Sequence, residues 1–316
     1  MSARLSARRE TQTLAGMDMA RTNTFRDLRS ILEVPALNDK FVAKARETQA
    51  DAVMLDLEDS VPPERKDEAR AKVAAVLTEP GVFGARIVFV RVNNLTSPWG
   101  MADLVALGAS RAPATACYPK VETRDEMEHV LAILRRENAS ASVYAMIETA
   151  RAVAGIESIA PCEGLCGLHF GYVDLATEME CSLFAETGDR LHPAMDYARA
   201  RIATAARAQG LFSTGGSMIP ALKDMEKVER FVWDWKAFGY SACMALSPSH
   251  VGVINRVFRP SDEALEAARR ICVAFEAAIA RGALNVEING RIVTGPDYRQ
   301  ARRLLGAVSP VKTLPV

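Results

Sequence analysis

Eight times between residues 29 and 247 the chain writes a short, mostly apolar run and then breaks it with polar or turn-forming residues. The runs are RSILEVP (29–35), AVMLDLE (52–58), ARIVFVRV (85–92), TACYPKV (115–121), SVYAMIE (142–148), GLCGLHFG (164–171), LFSTGGSM (211–218) and SACMALS (241–247). Runs of this length without in-out alternation suit strands buried on both faces, which are parallel and joined by crossover helices. Helical spacing follows at 38–49, 62–77, 98–107, 124–136, 150–160, around 195–209 and over 223–238. Eight such strands favour an α/β chain folded as a (β/α)₈ TIM barrel over an open doubly wound sheet. No G-x-G-x-x-G follows the first strand, so the usual dinucleotide signal is missing.

The barrel is expected over residues 29–260, with different sequence on either side. Beyond Pro260 come an alanine-rich helix (262–281), a hairpin (286–293) turning at Asn289-Gly290 and a short helix (297–306). This extension, 261–316, is too small to bury a full core and is expected to act as a lid or an oligomer contact. Residues 1–28 carry Arg4, Arg8, Arg9, Arg21 and Arg26 against three acids, without apolar periodicity, and read as a disordered or flexible tail. The tail lacks the apolar segment of a secretory signal, which places the protein in the cytoplasm. Lys plus Arg and Asp plus Glu number 39 each, so no net field draws the chain to nucleic acid or an anionic membrane. No apolar stretch is long enough to span a bilayer. The six cysteines lie scattered in apolar contexts and are expected to be reduced; Cys162 and Cys166 have no second Cys or His pair to complete a zinc set.

In a barrel of this kind chemistry sits at the carboxyl ends of the strands. The second strand delivers Asp56, Glu58 and Asp59 there, the third Arg91 and Asn93, the fourth Lys120 and Glu122, and the fifth Glu148. Asp174 follows the sixth. Carboxylates gathered without compensation raise one another's pKa, and a divalent cation relieves them. Oxygen-only ligands select a hard ion such as Mg²⁺, and Glu148 and Asp174, from adjacent strands, can share one. Arg91 beside that ion suits a 2-oxo acid or its enolate. Taken singly, Glu148 is more simply a helix cap, Asp56, Glu58 and Asp59 cap the next helix, and Arg91 is an ion-pair partner; their joint placement favours a site. His129 reads as solvated, His169 as core or an outer hydrogen-bond partner, and His192 and His250 as loop residues. The TGG at 214–216 reads as a tight turn, with a phosphate cradle as the alternative.

The segments RSILEVP, AVMLDLEDSVPPERKDEAR, VFVRVNN, YPKVET, MIETARAV and LHFGYVDLA, in this order, resemble the citrate lyase β-subunit and malyl-coenzyme A lyase superfamily of HpcH/HpaI aldolases. The likeness covers most of residues 29–260. It implies an Mg²⁺-dependent barrel, commonly a homotrimer or hexamer, that cleaves a 3-hydroxyacyl thioester of coenzyme A into an acyl thioester and an oxo acid. By position it assigns Glu148 and Asp174 to the metal and Arg91 to the substrate carboxylate and carbonyl. Arg29 would line the mouth near the thioester, Asp56, Glu58 and Asp59 would form an acidic floor, and Lys40 and Lys44 would meet coenzyme A phosphates.

The departures concern the other half of such a site. Where these lyases often place an aspartate in the C-terminal hairpin, this chain has Thr294, with Asp297 three residues late. Cys243 and Ser247 stand where the eighth strand usually carries Gly-Lys and later His-Pro, and GGSMIP lacks an expected acid. Asp56, Glu58 or a hydroxide is then left as base. Lyase activity is expected first, thioester hydrolysis or free-acid aldol cleavage second, and a non-catalytic paralogue that binds metal and oxo acid third. The particular hydroxyacyl substrate is not written in the sequence.

Overall fold

The computed structural model describes residues 25, 27–79, 81–84, 86–110 and 114–306; the tail expected over 1–28 lies outside these apart from residues 25, 27 and 28. The chain divides after Phe258 into two compact units. In the first, eight parallel strands close into a barrel: β1 (Ser30–Pro35), β2 (Ala52–Asp56), β3 (Ile87–Arg91), β4 (Ala114–Tyr118), β5 (Val143–Ile147), β6 (Leu165–Phe170), β7 (Phe212–Gly216) and β8 (Ala242–Ala245). β8 returns to β1 through Ser30↔Cys243, Ile31↔Met244 and Leu32↔Ala245. With a helix after every strand this is a (β/α)₈ barrel.

Burial on both faces explains the unbroken apolar runs. Along each strand alternate side chains point to opposite sides. Leu32, Val34, Val53, Leu55, Val90 and Ile147 join the core beneath the helices, whereas Ile31, Met54, Phe89, Tyr144, Met146 and Met244 fill the barrel interior. The expected strands and helices recur with ends shifted by a few residues. The helix expected at 62–77 opens with a 3₁₀ turn (Pro63–Arg65) and runs on as Lys66–Thr78, and that at 150–160 divides at Gly155. Two helices that the spacing did not announce, Tyr172–Glu178 and Pro248–Phe258, follow β6 and β8.

Three readings change. Leu28 and Phe25, assigned to the tail, pack into the barrel interior, with the Phe25 ring 5.2 Å from Phe212 and 6.0 Å from Phe89. The TGG segment is neither turn nor cradle but most of β7. A Cβ on Gly215 would meet the Trp235 ring at 2.3 Å, and Trp235 Nε1 donates to the Gly216 carbonyl at 2.9 Å. His250 sits in helix Pro248–Phe258, fully buried, rather than in a loop. His169 is a core residue: its Nδ1 lies 2.8 Å from Thr214 Oγ1 and 3.1 Å from the Tyr144 hydroxyl, and burial pushes its imidazole down to about 3. It is therefore neutral at physiological pH.

The second unit is built around helix Asp262–Ala280, hairpin β9 (Asn285–Ile288) and β10 (Arg291–Thr294), and helix Gly295–Gly306. Asn289 and Gly290 both take positive φ, 52° and 78°, as a two-residue hairpin turn requires. Its helices meet at Ala268, Cys272 and Ala301, beside a Phe275–Tyr298 stack at 5.0 Å. None of the six cysteines, all among the described residues, is joined in a disulfide. Among the described residues no helix is long and apolar enough to cross a membrane.

The close approach of Trp235 to β7 has a measurable corollary. Gly215→Ala should lower stability by about 1–3 kcal/mol in urea denaturation, because the added methyl overpacks the strand against the indole. Gly252→Ala, at an exposed helical position with nothing within 4 Å of the new Cβ, should be neutral or stabilising by up to about 1 kcal/mol.

Candidate active site

The ends of β2 and β3 lie side by side, Asp56 paired in register with Arg91. Both side chains turn inward and form a fork: Arg91 Nε donates to Asp56 Oδ1 at 2.6 Å and Nη2 to Oδ2 at 2.8 Å. Nη2 also reaches Glu33 Oε1 at 3.0 Å, while Nη1 stands 3.5 Å from carboxylate oxygens of Glu58 and Asp59. Burial pushes the Asp56 carboxyl up, but hydrogen bonds and charge from Arg91 outweigh it, and Asp56 stays below its ordinary value. Glu33 and Glu58 go the other way: burial raises both, and the charge of Arg91 only partly offsets it. The paired fork of Arg91, expected to clamp a substrate carboxylate, is thus engaged with Asp56, and Nη1 is the edge left for a ligand.

The loop carrying Glu58 and Asp59 is held from below. Asp56 accepts the backbone amides of Glu58 (2.8 Å) and Ser60 (3.0 Å). The Lys66 ammonium donates to the carbonyls of Leu57 and Glu58 and to Asn93 Oδ1, all within 2.8 Å. Asn93 in turn donates its backbone and side-chain amides to Asp103 Oδ2, and Arg70 holds Asp103 Oδ1 at 2.7 Å. Glu33, Lys66 and Asp103 went unmarked in the sequence. Glu33 falls in the middle of an apolar strand run, and Lys66 reads as one surface charge among many in PPERKDEAR.

Glu148 follows β5 directly and is 3% exposed. Its Oε1 accepts the backbone amide of Lys120 at 2.8 Å. Gly171, at the start of helix Tyr172–Glu178, makes room for it: a Cβ there would sit 2.3 Å from Glu148 Oε2. Burial first, then the charges of Glu58 and Asp174, push the Glu148 carboxyl up to about 8. Asp174 lies in the first turn of the same helix and is half exposed. Between these groups stands the Lys120 ammonium, 3.2 Å from Glu58 Oε1 and 3.9 Å from Asp174 Oδ1. Among the described residues no three His, Cys, Asp or Glu side chains form a ready-made metal cluster. The Glu148 and Asp174 carboxylates fit a hard divalent cation that keeps several waters, and a buried carboxyl driven up by its acidic neighbours is what such a cation relieves.

Other expected residues fall elsewhere. Arg29 precedes β1, and its Nε and Nη2 pair with Asp51, which precedes β2, at 2.9 and 2.7 Å. It therefore stands at the amino-terminal end of the barrel, a six-residue strand or roughly 20 Å from the mouth it was expected to line. Lys40 is exposed in the first turn of helix Asp39–Glu47, and Lys44 is exposed and paired with Glu47 at 2.7 Å. Asp297 is not a free acid: its Oδ2 accepts the Thr294 amide and hydroxyl at 2.8 Å each, and Oδ1 pairs with Arg291. A Ser–His contact absent from the sequence reading joins Ser217 Oγ to His250 Nδ1 at 2.8 Å, with Nε2 on the Leu222 carbonyl. Both residues are wholly buried, and the contact ties the loop after β7 to the helix after β8.

The raised carboxyl of Glu148 gives a signed pH dependence. Between an ordinary value near 4.5 and its folded value of about 8, the folded protein keeps a proton that the unfolded chain releases. Metal-free stability should therefore fall as pH rises through that window. Urea unfolding in EDTA should show this slope in the wild type and a flatter one in Glu148→Gln; equal slopes would contradict the burial of an ionisable Glu148.

The model of the HpcH/HpaI aldolase/citrate lyase family matches residues 29–248. The (3S)-malyl-CoA thioesterase of Cereibacter sphaeroides is 32% identical over 90% of this chain and 95% of its own length. Citrate lyase subunit beta of Escherichia coli is 30% identical over 89% of this chain and 93% of its own. The solved structure of CitE from Mycobacterium tuberculosis with magnesium, acetoacetate and coenzyme A superposes with a TM-score of 0.73 at 26% identity, covering 89% and 97% of the two chains. With the barrel, the order of its strand ends and these matches together, the chain belongs to the HpcH/HpaI aldolase/citrate lyase family.

Proposed function

We propose that this protein is an Mg²⁺-dependent carbon–carbon lyase that splits a 3-hydroxyacyl thioester of coenzyme A into a shorter acyl thioester and an oxo acid. One observation carries the reading: Glu148 and Asp174 stand at the same barrel mouth as Arg91 and its ring of carboxylates. The magnesium, acetoacetate and coenzyme A in the Mycobacterium tuberculosis relative support the same ligand classes here. Glu148 and Asp174 would hold the ion, which when bound supplies positive charge to oxygen that turns negative during cleavage. Arg91 Nη1 orients the carboxylate of the departing acid. Asp56, locked by Arg91 and two backbone amides, is a poor base. Glu58, raised by burial and free of that lock, takes the proton of the 3-hydroxyl. The C2–C3 bond breaks, the C3 oxygen becomes the carbonyl of the oxo acid, and Glu58 returns the proton to C2 of the acyl thioester.

Thioester hydrolysis is the second reading. It is favoured by the Cereibacter sphaeroides relative and by Thr294, which stands where these lyases often carry their aspartate, while the nearby Asp297 is capped by Thr294 and paired with Arg291. Mass-spectrometric product analysis on malyl-, citramalyl-, methylmalyl- and citryl-coenzyme A, with Mg²⁺ and with EDTA, separates the two. A lyase gives an acyl thioester plus an oxo acid, and a thioesterase gives free coenzyme A plus an intact hydroxy acid. Glu148→Gln and Asp174→Asn should each lower the metal-dependent rate by more than about 100-fold, since even outer partners of metal ligands are worth ~10–100-fold. Full activity in both would remove the cation from the mechanism.

Assembly is part of the same proposal. Leu284, just before the hairpin, and Ile292, within it, are 82% and 65% exposed, which suits burial against another subunit in a trimer or hexamer. Light scattering should give a mass of three or six chains, and a strictly monomeric mass would end this part of the reading.

A further inference from the structure

Lys120 has the most unusual setting in the mouth. Its backbone is left-handed, φ 51°, a conformation disfavoured for any residue with a Cβ. That turn lets one residue touch the site from two directions. Its amide donates to Glu148 Oε1 at 2.8 Å, while its ammonium lies 3.2 Å from Glu58 Oε1 and 3.9 Å from Asp174 Oδ1. These contacts are looser than the 2.7 Å pairs Arg70–Asp103 and Arg199–Asp196 elsewhere in the chain. The Lys120 side chain is also 40% exposed, so its head can leave for water without crossing packed protein.

We propose that the Lys120 ammonium is the built-in counter-ion of the cation site, bridging Glu58 and Asp174 in the metal-free protein and yielding its place when a divalent cation binds. The inference rests on Glu148 and Asp174 being the ligands. A carboxylate group of this density needs positive charge to stay together, and a compact ammonium on a flexible stem supplies it reversibly. Lys120 therefore preserves the geometry of the empty site and competes with the ion that fills it. The competition lowers cation affinity, whereas a residue that merely buttressed the ligands would raise it.

The test is calorimetric titration of Mg²⁺ into the full-length wild type, Lys120→Met, Lys120→Arg and Glu148→Gln, with thermal melts in EDTA and in Mg²⁺. Methionine keeps the Cβ and the backbone strain, so charge is the main variable. Removing one positive charge roughly 6 Å from a divalent ion in a water-like dielectric should tighten Mg²⁺ about ten-fold. Lys120→Met should also melt lower in EDTA and gain more from Mg²⁺ than the wild type, with Lys120→Arg close to wild type. If Lys120→Met misfolds, Lys120→Gln is read in the same way. Unchanged or weakened Mg²⁺ binding in the neutral variant overturns the inference while leaving the ligands standing. Wild-type Mg²⁺ binding that survives Glu148→Gln, or none in any variant, removes the ligand assignment and the inference with it.

Discussion

A guanidinium enclosed as Arg91 is, with 8% of its side chain exposed, persists only if anionic oxygens replace its lost water. Asp56 does so through two parallel hydrogen bonds, the strongest geometry open to this pair. The same carboxylate receives the amides of Glu58 and Ser60, so the ion pair also sets where the chain goes after β2 and where Glu58 and Asp59 emerge. Removing one partner would strand a buried charge, which typically costs about 3–5 kcal/mol. The pair is thus both the electrostatic anchor of the mouth and the template for its acidic loop.

Outward from that anchor the charges are graded. Asp56 is held below its ordinary value, Glu33 and Glu58 are pushed toward protonation by burial, and Glu148 is pushed up to about 8. Groups of one chemical type thereby acquire different proton affinities, as acid–base chemistry in a single site requires. Lys66, Asn93, Asp103 and Arg70 add a supporting layer whose hydrogen bonds fix the loop without entering the mouth. In the proposed reaction such support would hold Glu58 and its neighbours in the narrow range of positions that catalysis tolerates.

The barrel was legible because burial of its strands on both faces leaves runs that no solvent-facing sheet would carry. The acids after β2 and β5 were legible because they end successive strands at one end of the barrel, although each alone could have capped a helix. Glu33 was hidden by the same logic, since its partner Arg91 arrives from a strand far along the chain. Arg29 was misplaced because family likeness marks a position in sequence, while the direction of β1 puts that position at the opposite end. TGG looked like a turn because the indole that requires its small residues lies twenty residues on in a helix. The Ser217–His250 contact also joins separate elements, so only the fold reveals it.

Phe25 and Leu28 give the barrel a character that its mouth alone would not. With Phe89, Tyr144 and Phe212 they fill the interior below the charged end with packed rings and aliphatic groups. Above them the neutral His169, Thr214 and Tyr144 satisfy one another's polar atoms. The cylinder is therefore a cup and not a pipe. Whatever enters at the carboxyl ends of the strands must leave by the same opening, and a lyase of the proposed kind would have to clear both of its products through that single door before the next turnover.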